Sequence, residues 1–213
     1  MIGVLASGLG SNLGALLKSD VRSNIAVIIC NNPDAKALQK GEEANIPTIL
    51  INHRDFDSRT AFDEALVAAL QKYKVEWVVL AGFMRIIGPS VLKAFPDRVL
   101  NVHPAILPAF PGLRAQGQAI QAGVKVSGCT VHLVDAGVDS GPILAQAAIP
   151  VGGDDDERSL SRRILKLEHV LYPAVVEAIL KDELSHSESK GWHLSAPLKL
   201  PHDAPKNAVF SPS

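Results

Sequence analysis

Apolar residues fall into short continuous runs in the first half of the chain and into alternating runs in the second. Ile2–Ala6 is a short apolar run, and Ile25–Cys30 is continuous and rich in β-branched side chains, the pattern of a strand covered on both faces. Residues 47–51 form a further apolar segment, and residues 75–81 and 98–103 read as strands. Between them lie helix-like stretches at 12–18, after Pro33, at 58–73 and at 90–95. In the 58–73 helix Phe62, Leu66 and Leu70 recur four apart, with Asp57 or Ser58 as the cap. Strands alternating with helices predict an α/β domain with a mainly parallel sheet.

After a loop over 104–113 and a short helix over 115–122, the period changes. Residues 127–134 set Cys129, Val131 and Leu133 against Thr130, His132 and Val134. With the apolar run 143–151, this predicts antiparallel strands joined by a loop over 135–142. A long amphipathic helix follows over 156–180, with a break or kink expected at Pro173. The tail from Ser185 is polar and Pro-rich, with an edge strand expected over 192–198. The fold class is therefore α/β: a Rossmann-like open twisted sheet, parallel in its N-terminal half and antiparallel in its C-terminal half. One continuous domain is expected over 1–184, with 185–213 as a tail that packs on it or extends it.

Composition narrows the functions available. The 213 residues are 47% hydrophobic, enough for a sizeable core without metals or disulfides. A net charge of −1 gives no basic excess, which disfavours a nucleic-acid partner. Cys30 and Cys129 sit in apolar runs without zinc-type spacing, and read as buried thiols in a reducing compartment. No His/Cys/Asp/Glu cluster with metal spacing is apparent, so metal-independent chemistry is expected. The N-terminus lacks a signal-peptide pattern, and no apolar window approaches the ~18 residues of a membrane span. A soluble, cytoplasmic protein is expected, monomeric or homodimeric.

Two segments carry candidate chemistry. Ser7-Gly8-Leu9-Gly10-Ser11-Asn12 joins the first strand to the first helix. Glycines let N–H groups converge at a helix N-terminus, where a phosphate is a natural ligand. A plain capped turn reads about as well. No Lys follows the loop, which excludes a nucleotide-hydrolase P-loop. Gly8, Gly10 and Gly14 miss the dinucleotide spacing, and the second strand ends Cys30-Asn31-Asn32 without the acidic residue that holds a ribose. In Arg98-Val-Leu-Asn101-Val-His103-Pro104, side chains two apart share a strand face. Asn101 and His103 thus combine an amide donor with an imidazole, groups suited to an oxyanion. Alone, such a His is more often a solvated strand-end residue.

The segment Asn101-Val-His103-Pro104-Ala-Ile-Leu107-Pro108-Ala-Phe110-Pro111-Gly112 resembles the signature of folate-dependent formyltransferases. With the loop 7–12, it is similar to the glycinamide ribonucleotide transformylase family. Ala81-Gly82-Phe83-Met84-Arg85-Ile86, Asp139-Ser140-Gly141-Pro142-Ile143 and Glu168-His169 follow in that family's order, and the likeness extends to about residue 180.

The resemblance implies the formyltransferase fold and transfer of the formyl group of 10-formyltetrahydrofolate to the amine of phosphoribosylglycinamide, in purine synthesis. It implies Asn101, His103 and Asp139 as catalytic residues. His103 and Asn101 would stabilise the oxygen of a tetrahedral intermediate; Asp139 would favour the imidazolium and organise a proton-carrying water. It implies Gly10, Ser11 and Asn12 as the phosphate site and Glu168 as the contact of the substrate amine. On pattern alone Glu168 continues the row Leu160, Ile164, which places it either at the core's rim, the favoured reading, or facing a polar cleft. The folate would lie against Arg59, Met84, Arg85, Ile86, Ile87, Asn101 and the loop Asp135, Ala136, Gly137, Val138, Asp139. His132 would be supporting structure. Many relatives carry a His and an Arg soon after Gly112-Leu113; here the run is Arg114-Ala-Gln116-Gly117, which weakens a relay or phosphate role there. Basic partners at the start of the last helix are unmatched, with Arg162, Arg163 and Lys166 as candidates.

Rival readings divide by partner. A methionyl-tRNA formyltransferase would carry a further basic domain, and a formyltetrahydrofolate hydrolase an N-terminal regulatory one. A nicotinamide-dependent oxidoreductase conflicts with the glycine spacing. A non-catalytic phosphoribosyl-binding module leaves Asn101, His103 and Asp139 unexplained.

Overall fold

The β-branched runs of the first half pair in parallel. The computed structural model describes residues 1–201, 204–205 and 208–212, and the chain divides into two compact units: Met1–Asn101 with Val134–Ala136, and Val102–Leu133 with Gly137–Ser213. In the first unit the elements run β1 (Ile2–Ala6), α1 (Ser11–Lys18), β2 (Ile25–Cys30), α2 (Lys36–Glu43), β3 (Thr48–Leu50), α3 (Arg59–Lys72), β4 (Trp77–Leu80), α4 (Pro89–Ala94) and β5 (Val99–His103), whose last two residues belong to the second unit. Strand order is β3-β2-β1-β4-β5. The register pairs Ala6 with Cys30, Leu5 with Leu80 and Leu80 with Asn101, so the strands' carboxyl ends share one edge. Ligands of open α/β sheets bind along such an edge.

The predicted helical stripe is the core contact. Phe62, Leu66 and Leu70 of α3 are buried against Leu5, Val27, Ile29, Val78 and Leu80. Ser58 caps this helix, its Oγ accepting from Ala61 N at 3.1 Å. Pro33 lies in a turn before α2, outside the helix it was expected to open. One-turn 3₁₀ segments at Asp20–Asn24 and His53–Asp55 are too short to leave a periodic signal.

The second unit contains α5 (Ala115–Gln121), β6 (Val126–Leu133), β7 (Ile143–Pro150), α6 (Glu157–Leu180), β8 (Leu184–Ser187), β9 (Gly191–Leu194) and β10 (Val209–Pro212). β6 and β7 pair antiparallel, with Cys129 opposite Ala147, as the alternating pattern predicts. α6 packs on both strands and on α5.

Two expectations are corrected. α6 does not break at Pro173. A capping box joins Asp156 and Ser159 at its start, and Leu160, Ile164, Leu167, Leu171, Val175 and Ile179 bury one face along its length. That burial outweighs the ~3 kcal/mol a helix-interior proline costs. In the tail, the strand expected over 192–198 is confined to β9, which pairs with β8 in a separate two-stranded hairpin, and β10 adds antiparallel to β7. Residues 202–203, 206–207 and 213 of the expected tail lie outside the described residues. Among the described residues no helix is long and apolar enough to cross a membrane.

Candidate active site

In the first unit, two of the predicted ligand segments leave the sheet edge together. Gly10 adopts φ 63° and ψ 43°, a left-handed conformation that favours glycine, and α1 begins at the next residue. Ser7 N donates to Gly82 O at 3.1 Å, and Ser7 Oγ accepts from Met84 N at 2.7 Å, tying the 7–12 loop to the 81–87 connector. Asn12 is buried, Ser11 half-buried and Leu9 exposed.

The 81–87 connector presents apolar side chains outward: Met84 is 72% and Ile86 60% exposed, whereas Ile87 is buried. Arg59, expected as a folate contact, is engaged with this backbone. Its Nη2 donates to Ile86 O at 3.1 Å and Ile87 O at 3.0 Å, and its Nε lies 3.8 Å from Asp63 Oδ2. Asp63 is a buried carboxylate that pattern reading missed. Burial pushes its carboxyl up, against the pull of Arg59, the Gly88 N–H and Arg85. Asp135 and Ala136 are exposed, just beyond the anchor made by Val134 N on Val99 O (2.8 Å).

In the second unit, residues 36 positions apart meet. His103 is 4% exposed, with Nδ1 3.2 Å from Asp139 Oδ2 and Nε2 2.8 Å from Phe110 O. The same Asp139 oxygen accepts from Gly112 N at 2.8 Å, and Oδ1 lies 3.7 Å from His132 Nε2. His132 in turn directs Nδ1 at Leu133 O, 2.8 Å away. Asn101 stands two residues before His103 on β5.

These partners specify protons. The Phe110 carbonyl and an ionised Asp139 can only accept, so His103 satisfies both contacts when each ring nitrogen carries hydrogen. Burial alone would raise the Asp139 carboxyl; His132, the Gly112 N–H and the charge of His103 outweigh it and hold the group below the usual carboxylate range. Phe110 (φ 57°) and Asp139 (φ 52°) occupy left-handed backbone, which non-glycine residues adopt where surrounding contacts over-determine it.

The loop after His103 is pinned from β6. Thr130 is fully buried; its Oγ1 donates to Ala105 O (2.7 Å) and accepts from Leu107 N (3.0 Å) and Gln146 Nε2 (3.0 Å). Gln146 Nε2 also reaches Leu107 O at 2.8 Å. Glu168 is 6% exposed within α6, so it is buried and not at a solvent-facing rim. It lies near Cys129, whose thiol is pushed up first by burial and then by the Glu168 charge. Gly137 and Val138 are exposed beside Asp139. Arg114 is committed to Glu157, Nη2 to Oε2 at 2.7 Å. Arg163 is paired with Asp155 and donates to Pro150 O at 2.7 Å.

A formyl transferase family model matches residues 1–176. A phosphoribosylglycinamide formyltransferase of Bacillus subtilis is 41% identical over 181 residues, covering 83% of this chain and 93% of its own. One of Mycobacterium tuberculosis is 47% identical over 178 residues, 83% of each chain. The crystal structure of glycinamide ribonucleotide transformylase 1 from Symbiobacterium toebii superposes with a TM-score of 0.87 at 45% identity, covering 92% of this chain and 93% of the other.

Proposed function

The chain belongs to the formyl transferase family, and on that premise we infer that it transfers the formyl group of 10-formyltetrahydrofolate to the amine of phosphoribosylglycinamide in purine synthesis. Its substrates are small molecules. The loop 10–12 takes the ribose phosphate: backbone N–H groups at a helix start suit an anion. Glu168 receives the substrate amine, a buried carboxylate being a strong acceptor for N–H groups. The folate fits the 84–87 connector, where exposed Met84 and Ile86 offer apolar contact beside backbone held rigid by Arg59. Bound there, it supplies the electrophilic formyl carbon.

This chain's own residues then handle charge. Attack by the amine puts negative charge on the formyl oxygen. Asn101 and His103 donate hydrogen bonds to that oxygen. Asp139 holds the Nδ1 proton of His103, which leaves the Nε2 proton for the reacting oxygen. In this structure that proton faces the Phe110 carbonyl, which must yield it. Asp139, kept ionised, also orders the water that carries a proton from the attacking amine to the departing nitrogen. No metal enters this reading. Cys30 and Cys129 are buried free thiols, with Cys30 pushed up to about 11 by burial; both suit a reducing cytoplasm. The assembly is a monomer or homodimer.

The observation that carries the catalytic assignment is the 3.2 Å contact between His103 and Asp139. It is tested by mixing protein with a 10-formyl-folate analogue and phosphoribosylglycinamide and following the deformylated folate. Release that requires the ribonucleotide supports transfer. Release without it points to a hydrolase, and none with both substrates present refutes the enzyme reading.

A further inference from the structure

We propose that Lys40, on α2, is a positioning residue of the phosphate site, acting through the carbonyl of Gly10. The inference rests on the reading of residues 10–12 as that site.

Residues 2–17 contain no Lys, Arg or His, and Arg163, a candidate cation on α6, is engaged elsewhere in its own unit. A phosphate bound by loop N–H groups alone needs those groups held outward against competing turns. The two ends of a peptide unit point in opposite directions, so fixing its oxygen on one side aims the following N–H to the other. The loop is fixed in that manner. Ser7 O accepts from Asn32 Nδ2 at 3.4 Å, and Gly8 O from Ala37 N at 3.2 Å. Gly10 O accepts from Gly14 N at 2.9 Å and from Lys40 Nζ at 2.7 Å.

Lys40 contributes the charged donor of that set. Its contact is made on the Gly10–Ser11 peptide, the unit whose N–H opens α1. A charge-assisted bond is shorter and stronger than a neutral one, and an oxygen polarised by it leaves its own amide hydrogen more positive. Placement is close as well as charged. A Cβ on Gly10 would stand 3.0 Å from Ala37 Cβ, so loop and α2 are in direct contact. One on Gly14 would stand 3.5 Å from Lys40 Nζ, which puts the ammonium against the first turn of α1. The cation thus favours an anion at the helix start by its field and by the orientation it enforces.

The test uses the full chain and reads the two substrates separately. In Lys40→Met, KM for phosphoribosylglycinamide rises roughly tenfold, while kcat and KM for the formyl-folate analogue stay within about twofold. Inhibition by inorganic phosphate weakens in parallel. Lys40→Arg restores most of both, because a guanidinium reaches the same carbonyl. Thermal melts accompany each variant, and Lys40→Gln replaces Lys40→Met should the latter fail to fold. An unchanged ribonucleotide KM in a folded Lys40→Met chain overturns the proposal. So does an equal loss for both substrates that Arg does not rescue, since that marks general damage. Ser11→Ala with Asn12→Ala separates the two levels. If this pair raises the ribonucleotide KM and Lys40→Met does not, the Lys40 inference alone falls. If the pair moves neither that KM nor phosphate inhibition, the phosphate reading falls and takes Lys40 with it.

Discussion

Asp139 Oδ2 lies 3.2 Å from His103 Nδ1, while the opposite ring nitrogen lies 2.8 Å from the Phe110 carbonyl. The imidazole is therefore held at both ends by acceptors, inside a unit where it is 4% exposed. Charge on this ring is balanced by the carboxylate. The carboxylate is in turn held by Gly112 N and faces His132, so its ionised form does not depend on His103 alone. One carboxylate oxygen thereby faces the ring's Nδ1 and accepts from the Gly112 N–H.

Removing either partner should cost rate more than binding. His103→Ala is expected to lower kcat by at least roughly 100-fold while folate affinity, measured by fluorescence titration, changes little. Asp139→Asn keeps the shape and loses the charge, with a comparable fall in kcat. A His103→Ala chain that turns over at a near-normal rate would remove His103 from the mechanism.

Asp139 also links stability to acid. Its carboxyl is held below the ordinary carboxylate range, so the folded chain binds that proton less readily than the unfolded chain. The resulting stabilisation is complete above about pH 4 and is lost as pH falls through the depressed folded value. The Tm advantage of the natural chain over Asp139→Asn should thus be constant near neutrality and shrink below about pH 4. A gap that widens on acidification would show that the carboxyl is not stabilised in its ionised form.

Legibility followed the range of the interactions. Local patterning foretold the parallel strands, the Phe62–Leu66–Leu70 stripe and the β6–β7 pair, because each rests on a period visible within a few residues. Asn101 and His103 were readable as a strand-end pair for the same reason. Their meeting with Asp139 was not: no spacing predicts that His103 and Asp139 touch, and the expectation came from resemblance. Arg59 shows the opposite limit. Its bonds to the backbone of Ile86 and Ile87 could not be read from sequence, since a guanidinium in a helix's first turn carries no mark of its partner. Asp63, buried on α3, broke no visible pattern, because a polar residue beside an apolar stripe is ordinary. The break allowed for at Pro173 does not occur because the local cost of a helix-interior proline is outweighed by burial along α6.

Thr130 anchors the loop that follows His103. Thr130→Val removes an acceptor for Leu107 N and Gln146 Nε2 and a donor for Ala105 O, at a site with no solvent exposure. Leaving such groups unsatisfied costs about 1–3 kcal/mol each at most, partly recovered by relaxation. A fall in Tm of several degrees is expected, with a drop in kcat as the 104–108 backbone loosens. Thr130→Ser keeps the hydroxyl and should retain most of the lost rate. If Val and Ser variants behave alike in kcat, the hydrogen bonds are not what positions the loop.

The Arg59 clamp predicts a division between the two substrates. A Cβ on Gly88 would stand 1.6 Å from Asp63 Oδ2 and 2.7 Å from its Cγ, so Gly88→Ala must displace the buried carboxylate beside Arg59. Overpacking of this kind costs about 1–3 kcal/mol. Displacement of Asp63 also loosens the guanidinium that holds Ile86 and Ile87, and with it the backbone proposed to read the folate. Arg59→Met should act on the same backbone directly. Both variants are expected to raise KM for the formyl-folate analogue roughly tenfold and to leave KM for the ribonucleotide near its natural value. Steady-state kinetics with each substrate varied in turn decides this. Were Gly88→Ala to melt at the natural temperature with an unchanged folate KM, Asp63 and Arg59 would not be the support on which the connector depends.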